Sequence, residues 1–412
     1  MMTITELQQR YAAHPNVEAM SGLLKNPSVR TLFCGGLCAS AASLFSSVLV
    51  QRGEFPFVFI LGDLEEAGYF YHDLTQVLGT DKVLFFPSSF RRAIKYGQKD
   101  AANEILRTEV LSRLQKGEEG LCVVTYPDAL AEKVVSRKEL GDKTLKLHSG
   151  ENVDTNFIME VLRSYGFEYV DYVYEPGQYA VRGSIIDVFS FSSEFPYRID
   201  FFGDEVESIR TFEVETQLSK EKKDSIVIVP DLSRSLEQGG ASGMVSFLDF
   251  LSADTVLAMR DLLWLRERIQ TVHDETLTPQ AIAAREAEES GCITLDGKLI
   301  DGSEFTLRAL DFRRMEFGNK PTGTPDATIT FDTSAQPIFR KNFDMVAESF
   351  KEYMEKGYAL YICSDSMKQT DRIRAIFEDR GDQIAFTAVE RTLHEGFADN
   401  ALRLCIFPDH QL

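Results

Sequence analysis

Two neighbouring stretches in the middle of the chain are the most informative part of the sequence: Tyr179-Ala-Val-Arg-Gly-Ser-Ile-Ile-Asp-Val-Phe189 and Pro196-Tyr-Arg-Ile-Asp-Phe-Phe-Gly-Asp-Glu-Val-Glu-Ser-Ile-Arg210. The second stretch has the period of two that a half-buried strand requires. Its apolar face holds Tyr197, Ile199 and Phe201, and its mixed face holds Arg198, Asp200 and Phe202. Gly203-Asp204 is a hairpin turn signal. The pattern predicts an antiparallel sheet with one core face and one mixed face.

The residues on either side of these stretches complete a small α+β module. A helix over Asn152–Gly166 comes first, and a strand over Ser225–Pro230 leads out of the module. The strand-like stretches between them are Tyr169–Tyr174, Gln178–Ser190 and Pro196–Phe212. Turn-forming residues separate these stretches. We therefore predict an inserted α+β module at residues 138–230.

The flanks of the module alternate strands and helices, which is typical of a parallel α/β sheet. Phe55–Gly62 is a continuous apolar run, as a strand buried on both faces requires, and Asp63 then caps a helix. The segment 291–325 is rich in glycine, aspartate and threonine, which predicts turns and short strands, or a domain boundary. The predicted fold class is α/β. A split parallel-sheet domain occupies residues 1–137 and 231–325, the inserted module lies between its two parts, and a small α/β domain follows at residues 326–412.

The composition excludes several classes of protein. The 412 residues include 64 acidic and 44 basic side chains, a net charge of −20, which disfavours non-specific coating of nucleic acid. The longest apolar run is about six residues, against the ~18 that a membrane span needs, and no secretory segment is visible. Six cysteines and six histidines lack metal-site spacing. We therefore expect a cytoplasmic protein with reduced thiols, no membrane span and no metal site.

A loop of small residues follows the first predicted strand, at the position where an α/β ATPase carries its phosphate loop. The candidate loop residues are Gly35, Gly36, Ser40 and Ser43. Ala41-Ala42 stands where Gly-Lys would be, and no lysine occurs between Lys25 and Lys82. Without that lysine, the loop lacks a main attraction for a triphosphate. We predict a degenerate phosphate loop that packs a helix on a sheet, with no catalytic residue.

Two charged clusters suggest other ligands. The carboxylates at Asp63, Glu65 and Glu66, and those at Asp204-Glu205, suit magnesium, but a helix N-terminus and a hairpin turn explain them more simply. The densest basic cluster consists of Arg91, Arg92, Lys95 and Lys99, with Tyr96 between them. It suits a weak contact with nucleic acid phosphates. The pattern favours a solvated helix face over that contact.

The mixed face of the module suits a protein partner. Residues 138–230 contain 10 lysines and arginines against 18 acidic residues, so a nucleic-acid site is disfavoured there. Arginine and aromatic side chains are enriched at protein interfaces. The pattern leaves a second interpretation open, in which Arg198 pairs with Asp200 or Asp204 and Phe202 packs under the module's own helix.

The runs Gly177–Phe189 and Arg198–Arg210, with Glu215-Thr-Gln217, resemble the signature of the excision-repair protein UvrB and its relatives, the bacterial transcription-repair coupling factors (Mfd family). The order of the flanking segments fits over roughly residues 1–325. UvrB keeps an intact phosphate loop and an aromatic-rich hairpin that clamps DNA. This chain lacks the lysine, and residues 87–100 hold few aromatics. It therefore resembles the N-terminal region of the coupling factors.

The resemblance implies that the inserted module docks UvrA, the damage-recognition ATPase, through Arg182, Arg198 and Phe202. It implies a non-catalytic fragment that needs no cofactor. The parent protein would use ATP and magnesium, in motor domains absent here, to displace stalled RNA polymerase from double-stranded DNA. In that parent, the docking module is expected to contact the absent C-terminal domains. The alternative is a UvrB-type fragment that binds nucleotide and DNA.

Overall fold

The computed structural model describes residues 2–89, 101–230, 232, 243–276 and 297–412. The helices are α1 Ile4–Ala12, α2 Pro15–Lys25, α3 Ala41–Arg52, α4 Leu64–Leu78, α5 Ala101–Lys116, α6 Pro127–Leu130, α7 Arg137–Asp142, α8 Thr155–Ser164, α9 Leu262–Thr276, α10 Gly302–Ala309, α11 Phe343–Glu355 and α12 Met367–Asp379. Short 3₁₀ turns cover Phe247–Phe250 and Asp409–Gln411. Within these described ranges, no helix is both long and apolar enough to span a membrane.

The strands lie in five sheets. They are β1 Thr31–Gly35, β2 Phe57–Ile60, β3 Val83–Phe86, β4 Cys122–Thr125, β5 Val134–Val135, β6 Leu145–His148, β7 Glu168–Tyr169, β8 Gln178–Arg182, β9 Ile185–Val188, β10 Tyr197–Phe202, β11 Glu205–Phe212, β12 Ser219–Lys223, β13 Ser225–Ile228, β14 Met244–Val245, β15 Val256–Met259, β16 Arg313–Gly318, β17 Ala327–Thr330, β18 Thr333–Ala335, β19 Ala359–Ser364, β20 Thr387–Glu390, β21 Phe397–Asp399 and β22 Leu404–Pro408.

The largest sheet has seven parallel strands in the order β17-β1-β16-β15-β2-β4-β3. Every residue of β2 and β4 is buried, as expected for strands covered on both faces. The predicted α/β class is confirmed. The prediction of turns and short strands missed β16 as a central strand, because its buried residues begin only at Met315, after Arg313 and Arg314.

The chain enters and leaves the inserted module through one antiparallel pair, β6 and β13. Between them lies a six-stranded sheet in the order β12-β11-β10-β9-β8-β7. Ile158 and Leu162 of α8 share one core with Ile199 of β10, so the helix covers the apolar face of the sheet. The prediction of one strand over residues 178–190 was wrong, because Gly183, at φ +63°, turns the chain between β8 and β9.

The last part of the chain forms a five-stranded mixed sheet in the order β18-β21-β22-β19-β20. Helix α1 contacts both this sheet and the large-sheet core: the Tyr11 ring lies 4.9 Å from that of Phe45 and 6.4 Å from that of Phe397. The Met2 amide also donates to the Ala388 carbonyl at 2.9 Å. Strand β17 follows residue 325 yet pairs with β1, so the large sheet extends into the segment that we assigned to the small domain.

Candidate functional site

The mixed face of the inserted sheet is built around the fully buried carboxylate of Asp187 in β9. Arg198, directly opposite in β10, donates to its two oxygens from Nε at 2.7 Å and from Nη2 at 2.8 Å. Arg198 Nη1 donates to the Gln217 carbonyl at 3.1 Å, and the guanidinium lies 4.4 Å from the centroid of the Phe212 ring. The hydrogen bonds to Asp187 raise the pKa of Arg198, whose side chain is only 13% exposed.

Arg182, at the end of β8, donates to the same carboxylate of Asp187. Its guanidinium also lies 5.0 Å from the centroid of the exposed Tyr172 ring. The Arg182 side chain is 35% exposed, so it is more accessible than that of Arg198. Two cations share one buried anion, and the cluster therefore keeps a net positive charge with both guanidinium groups fixed in place.

Phe202 stands at the tip of the same sheet, at the end of β10, and is 77% exposed. The β10–β11 turn follows directly, and Gly203 has φ +63° there, a conformation that glycine adopts without strain. Phe201, the preceding residue, points into the module core. An exposed phenylalanine near ordered arginines has the composition of a protein-interface hot spot.

The three predicted docking residues thus belong to one sheet but differ in exposure. Direct contact with a partner requires an exposed side chain, and Phe202 meets this requirement fully, Arg182 in part and Arg198 hardly at all. The second interpretation is wrong, because Arg198 pairs with Asp187 rather than Asp200 or Asp204, and Phe202 is not covered by the helix. Sequence reasoning missed Asp187 as the anchor, although a lone carboxylate inside an apolar run signals a buried partner.

The loop between β1 and α3 is bonded to a distant segment of the chain. Gly36 has φ +81°, and a Cβ there would lie 2.0 Å from the Phe331 carbonyl oxygen, so only glycine fits. The Thr333 hydroxyl donates to the Gly36 carbonyl at 2.6 Å, and the Cys38 amide donates to that hydroxyl at 3.1 Å. Glycine at position 36 therefore allows the backbone of the loop to pack closely against the backbone at Phe331. The Phe331 amide also donates to the Gly35 carbonyl at 2.8 Å.

The two serines of this loop also have protein partners. Ser40 Oγ accepts from the Glu395 amide at 2.9 Å, and Ser43 Oγ donates to the buried Asp73 carboxylate at 2.7 Å. Asp73 accepts a further hydrogen bond from the His394 amide at 2.7 Å. Both serine hydroxyls of the loop are therefore hydrogen-bonded to the protein itself, and that of Ser43 is bonded to a carboxylate.

A cleft of about 410 Å³ opens beside the loop. Its charged lining residues are Asp63, Glu65, Glu66, Asp73, Glu395 and Arg260. The single guanidinium is itself paired with Glu66 at 2.6 Å. Five carboxylates against one paired cation repel a nucleoside triphosphate. Among the residues that the structure describes, this lining offers a phosphate no unpaired cation.

The acidic clusters have local structural roles. Asp63 Oδ1 accepts from the Glu66 amide at 2.9 Å, which caps α4 as predicted, and Asp204 lies in the β10–β11 turn. In the described ranges, no group of three or more histidine, cysteine, aspartate or glutamate side chains is arranged to hold a metal ion. The basic cluster of Arg91, Arg92, Lys95 and Lys99 lies outside the described residues, and its contact with nucleic acid stays a prediction.

Comparison with known families and proteins agrees with the position of the module. Residues 145–233 match the family model described as the UvrB interaction domain. The chain is similar to proteins named transcription-repair-coupling factor. The one from Bacillus subtilis is 30% identical over 229 residues, which cover 53% of this chain and 19% of that protein.

Two further relatives carry the same name. The Escherichia coli protein is 28% identical over 198 residues, 48% of this chain and 17% of its own length. The Staphylococcus aureus protein is 21% identical over 416 residues, 88% of this chain and 35% of its own length. The chain thus spans about a third or less of these relatives. The resemblance stated from the sequence is confirmed.

Proposed function

We propose that this chain, in which residues 145–233 match the UvrB interaction domain, recruits the repair protein UvrA during transcription-coupled repair. The observation that carries the proposal is the exposed Phe202 at the tip of a sheet face on which Arg182 and Arg198 are held by one buried carboxylate. Cations that are already held in place, on the same sheet face as an exposed aromatic side chain, can bind a partner with less loss of conformational entropy than free side chains.

In this proposal, Phe202 and Arg182 contact UvrA, and Arg198 positions the face. The side chain of Arg182 is partly accessible to a partner, whereas the guanidinium of Arg198 is hydrogen-bonded to Asp187 and Gln217 within the module. The division of roles follows from exposure, because a side chain that is mostly covered offers few atoms to a partner. Arg198 therefore acts through the carboxylate that also holds Arg182.

The rest of the chain serves as a non-catalytic scaffold in this proposal. The strands before and after the module form one split domain with a degenerate phosphate loop, similar to that of UvrB. We assign ATP hydrolysis, DNA translocation and contact with RNA polymerase to parts of the coupling factors outside the matched stretch. Recruitment would take place in the cytoplasm, where repair proteins meet the chromosome.

Calorimetric titration of purified UvrA with the whole chain tests this function. Phe202→Ala should weaken binding by about 2 kcal/mol, roughly 30-fold in Kd, because the variant loses an interface anchor. Phe157→Ala is the matched control, since Phe157 is also an exposed phenylalanine of the module but lies on α8. Both variants should keep the wild-type melting temperature, because both side chains are exposed.

Two results would contradict the proposed function. One is the absence of measurable binding between UvrA and the folded wild-type chain. The other is an equal effect of the two substitutions, because it would mean that UvrA binds without using the tip of the sheet.

A further inference from the structure

Strand register places a straight row of charged residues across the mixed face. Asp187 of β9 lies opposite Arg198 of β10, Arg198 lies opposite Arg210 of β11, and Arg210 lies opposite Lys222 of β12. Three cations thus stand side by side on three adjacent strands. Like charges directly opposite each other destabilise a sheet, so pairing within the module explains Arg198 and Arg210 but not the further cation Lys222 beside them.

The row is only partly neutralised within the module. Asp187 pairs with Arg198 and Arg182, and Asp200 pairs with Arg210. Lys222 is exposed and has no ion-pair partner among the residues that the structure describes. In and beside this row, the four cations Arg182, Arg198, Arg210 and Lys222 have only the two carboxylates of Asp187 and Asp200 as partners. The module as a whole has many more acidic than basic residues, so the excess of positive charge is local to the row.

We propose that Arg210 and Lys222 extend the docking face and that this face binds an acidic surface of the partner. The inference rests on the proposed function and adds to it the chemistry of the bound surface. The row continues from Arg198 of β10 across β11 to the edge strand β12, so Lys222 lies about 10 Å from Arg198 at ~4.8 Å per strand. A partner that covers the face on both sides of Arg198 would contact Lys222. Opposite charge on the partner relieves the repulsion within the row and selects that surface over neutral ones.

An acidic protein surface fits this face better than nucleic acid. The surrounding module is acidic and repels a long phosphate backbone, which binds through an extended basic footprint. Phe202 at the tip also supplies apolar area, which suits a protein interface.

The test compares Lys222→Glu with Lys223→Glu by calorimetric titration of UvrA at two salt concentrations. The substitutions change the net charge equally, but Lys223 lies opposite Ile209 on the other face and pairs with Glu221 at 2.6 Å. Lys222→Glu should weaken binding about three- to tenfold and reduce its salt dependence. Lys223→Glu should leave the affinity unchanged.

The outcomes separate this inference from the proposed function. If Phe202→Ala weakens binding as predicted while the two lysine variants behave alike, the docking function stands and the acidic-partner inference is overturned. The proposal is also overturned if a short fluorescent DNA duplex binds the chain and only Lys222→Glu removes that binding, because the row would then contact nucleic acid.

Discussion

Asp187 is the residue on which the docking face depends. Its buried carboxylate is hydrogen-bonded by Arg198 through two donors and by Arg182 through one. A buried charge is tolerated when it is paired, but removing one partner leaves an uncompensated charge in the interior. Arg198 is therefore needed for the fold of the face as well as for its charge.

Replacing Arg198 with alanine should destabilise the module by about 3 kcal/mol, a typical cost of breaking a buried ion pair. Asp187→Asn should reduce that cost when combined with Arg198→Ala, because the double variant buries no unpaired charge. Denaturant unfolding of the single and double variants measures both effects. Additive costs would show that the pair is not coupled. Loss of UvrA binding in an Arg198 variant is consequently not proof of direct contact.

For single residues, the sequence predicts which face of a strand a side chain lies on better than it predicts which residue that side chain pairs with. The alternation in residues 197–202 correctly separates Ile199 and Phe201 from Phe202. The pairing of Arg198 with Asp187 depends on strand register, which follows from where the β8–β9 turn falls. Because the pattern of residues 178–190 does not show where this turn falls, the register does not follow from the sequence.

Among the larger elements, the loop between β1 and α3, which we predicted to be a degenerate phosphate loop, is bonded to other parts of the chain. Its carbonyls and hydroxyls bond to Thr333, Glu395 and Asp73. The same geometry argues against the UvrB-type alternative, because protein groups already engage the hydroxyls and the adjoining cleft is acidic.

Restoring the motif should therefore not restore nucleotide binding. The variant Ala41→Gly/Ala42→Lys regains the glycine and lysine, but the new ammonium faces Asp73 and Glu395 in the cleft lining. We expect a Kd for ATP above about 1 mM, measured by titration with a fluorescent analogue. Circular dichroism should confirm the fold of the variant. Micromolar binding would mean that the missing lysine alone explains the loss and that the protein contacts are incidental.

Prediction of the elements succeeded where the pattern is local. The strand predicted within Phe55–Gly62 is β2, and Asp63 caps α4 as expected. The sequence did not predict β16, because this strand begins with the polar residues Arg313 and Arg314. Strand β7 is shorter than predicted, because the chain bends soon after Tyr169.

For the whole molecule, the mixed face of the inserted module differs from the C-terminal sheet in what it contacts. The chain enters and leaves the inserted module through the β6–β13 pair. The mixed face lies on the side of the six-stranded sheet that is opposite the core shared with α8. The C-terminal sheet instead contacts α1 through Phe397, and the segment just before β21 contacts the loop between β1 and α3 through Glu395. Such contacts were not predictable from local patterns, because Cys38 and Thr333 are 295 residues apart.

Hydrogen–deuterium exchange of the whole chain with and without UvrA locates the docking surface within the molecule. We predict slower exchange in the complex at the turn between β10 and β11 and along β12, with no change in helix α12, which packs on the C-terminal sheet. Protection confined to the acidic cleft or to the C-terminal sheet, with the turn after Phe202 unaffected, would contradict the assignment of UvrA recruitment to the inserted module.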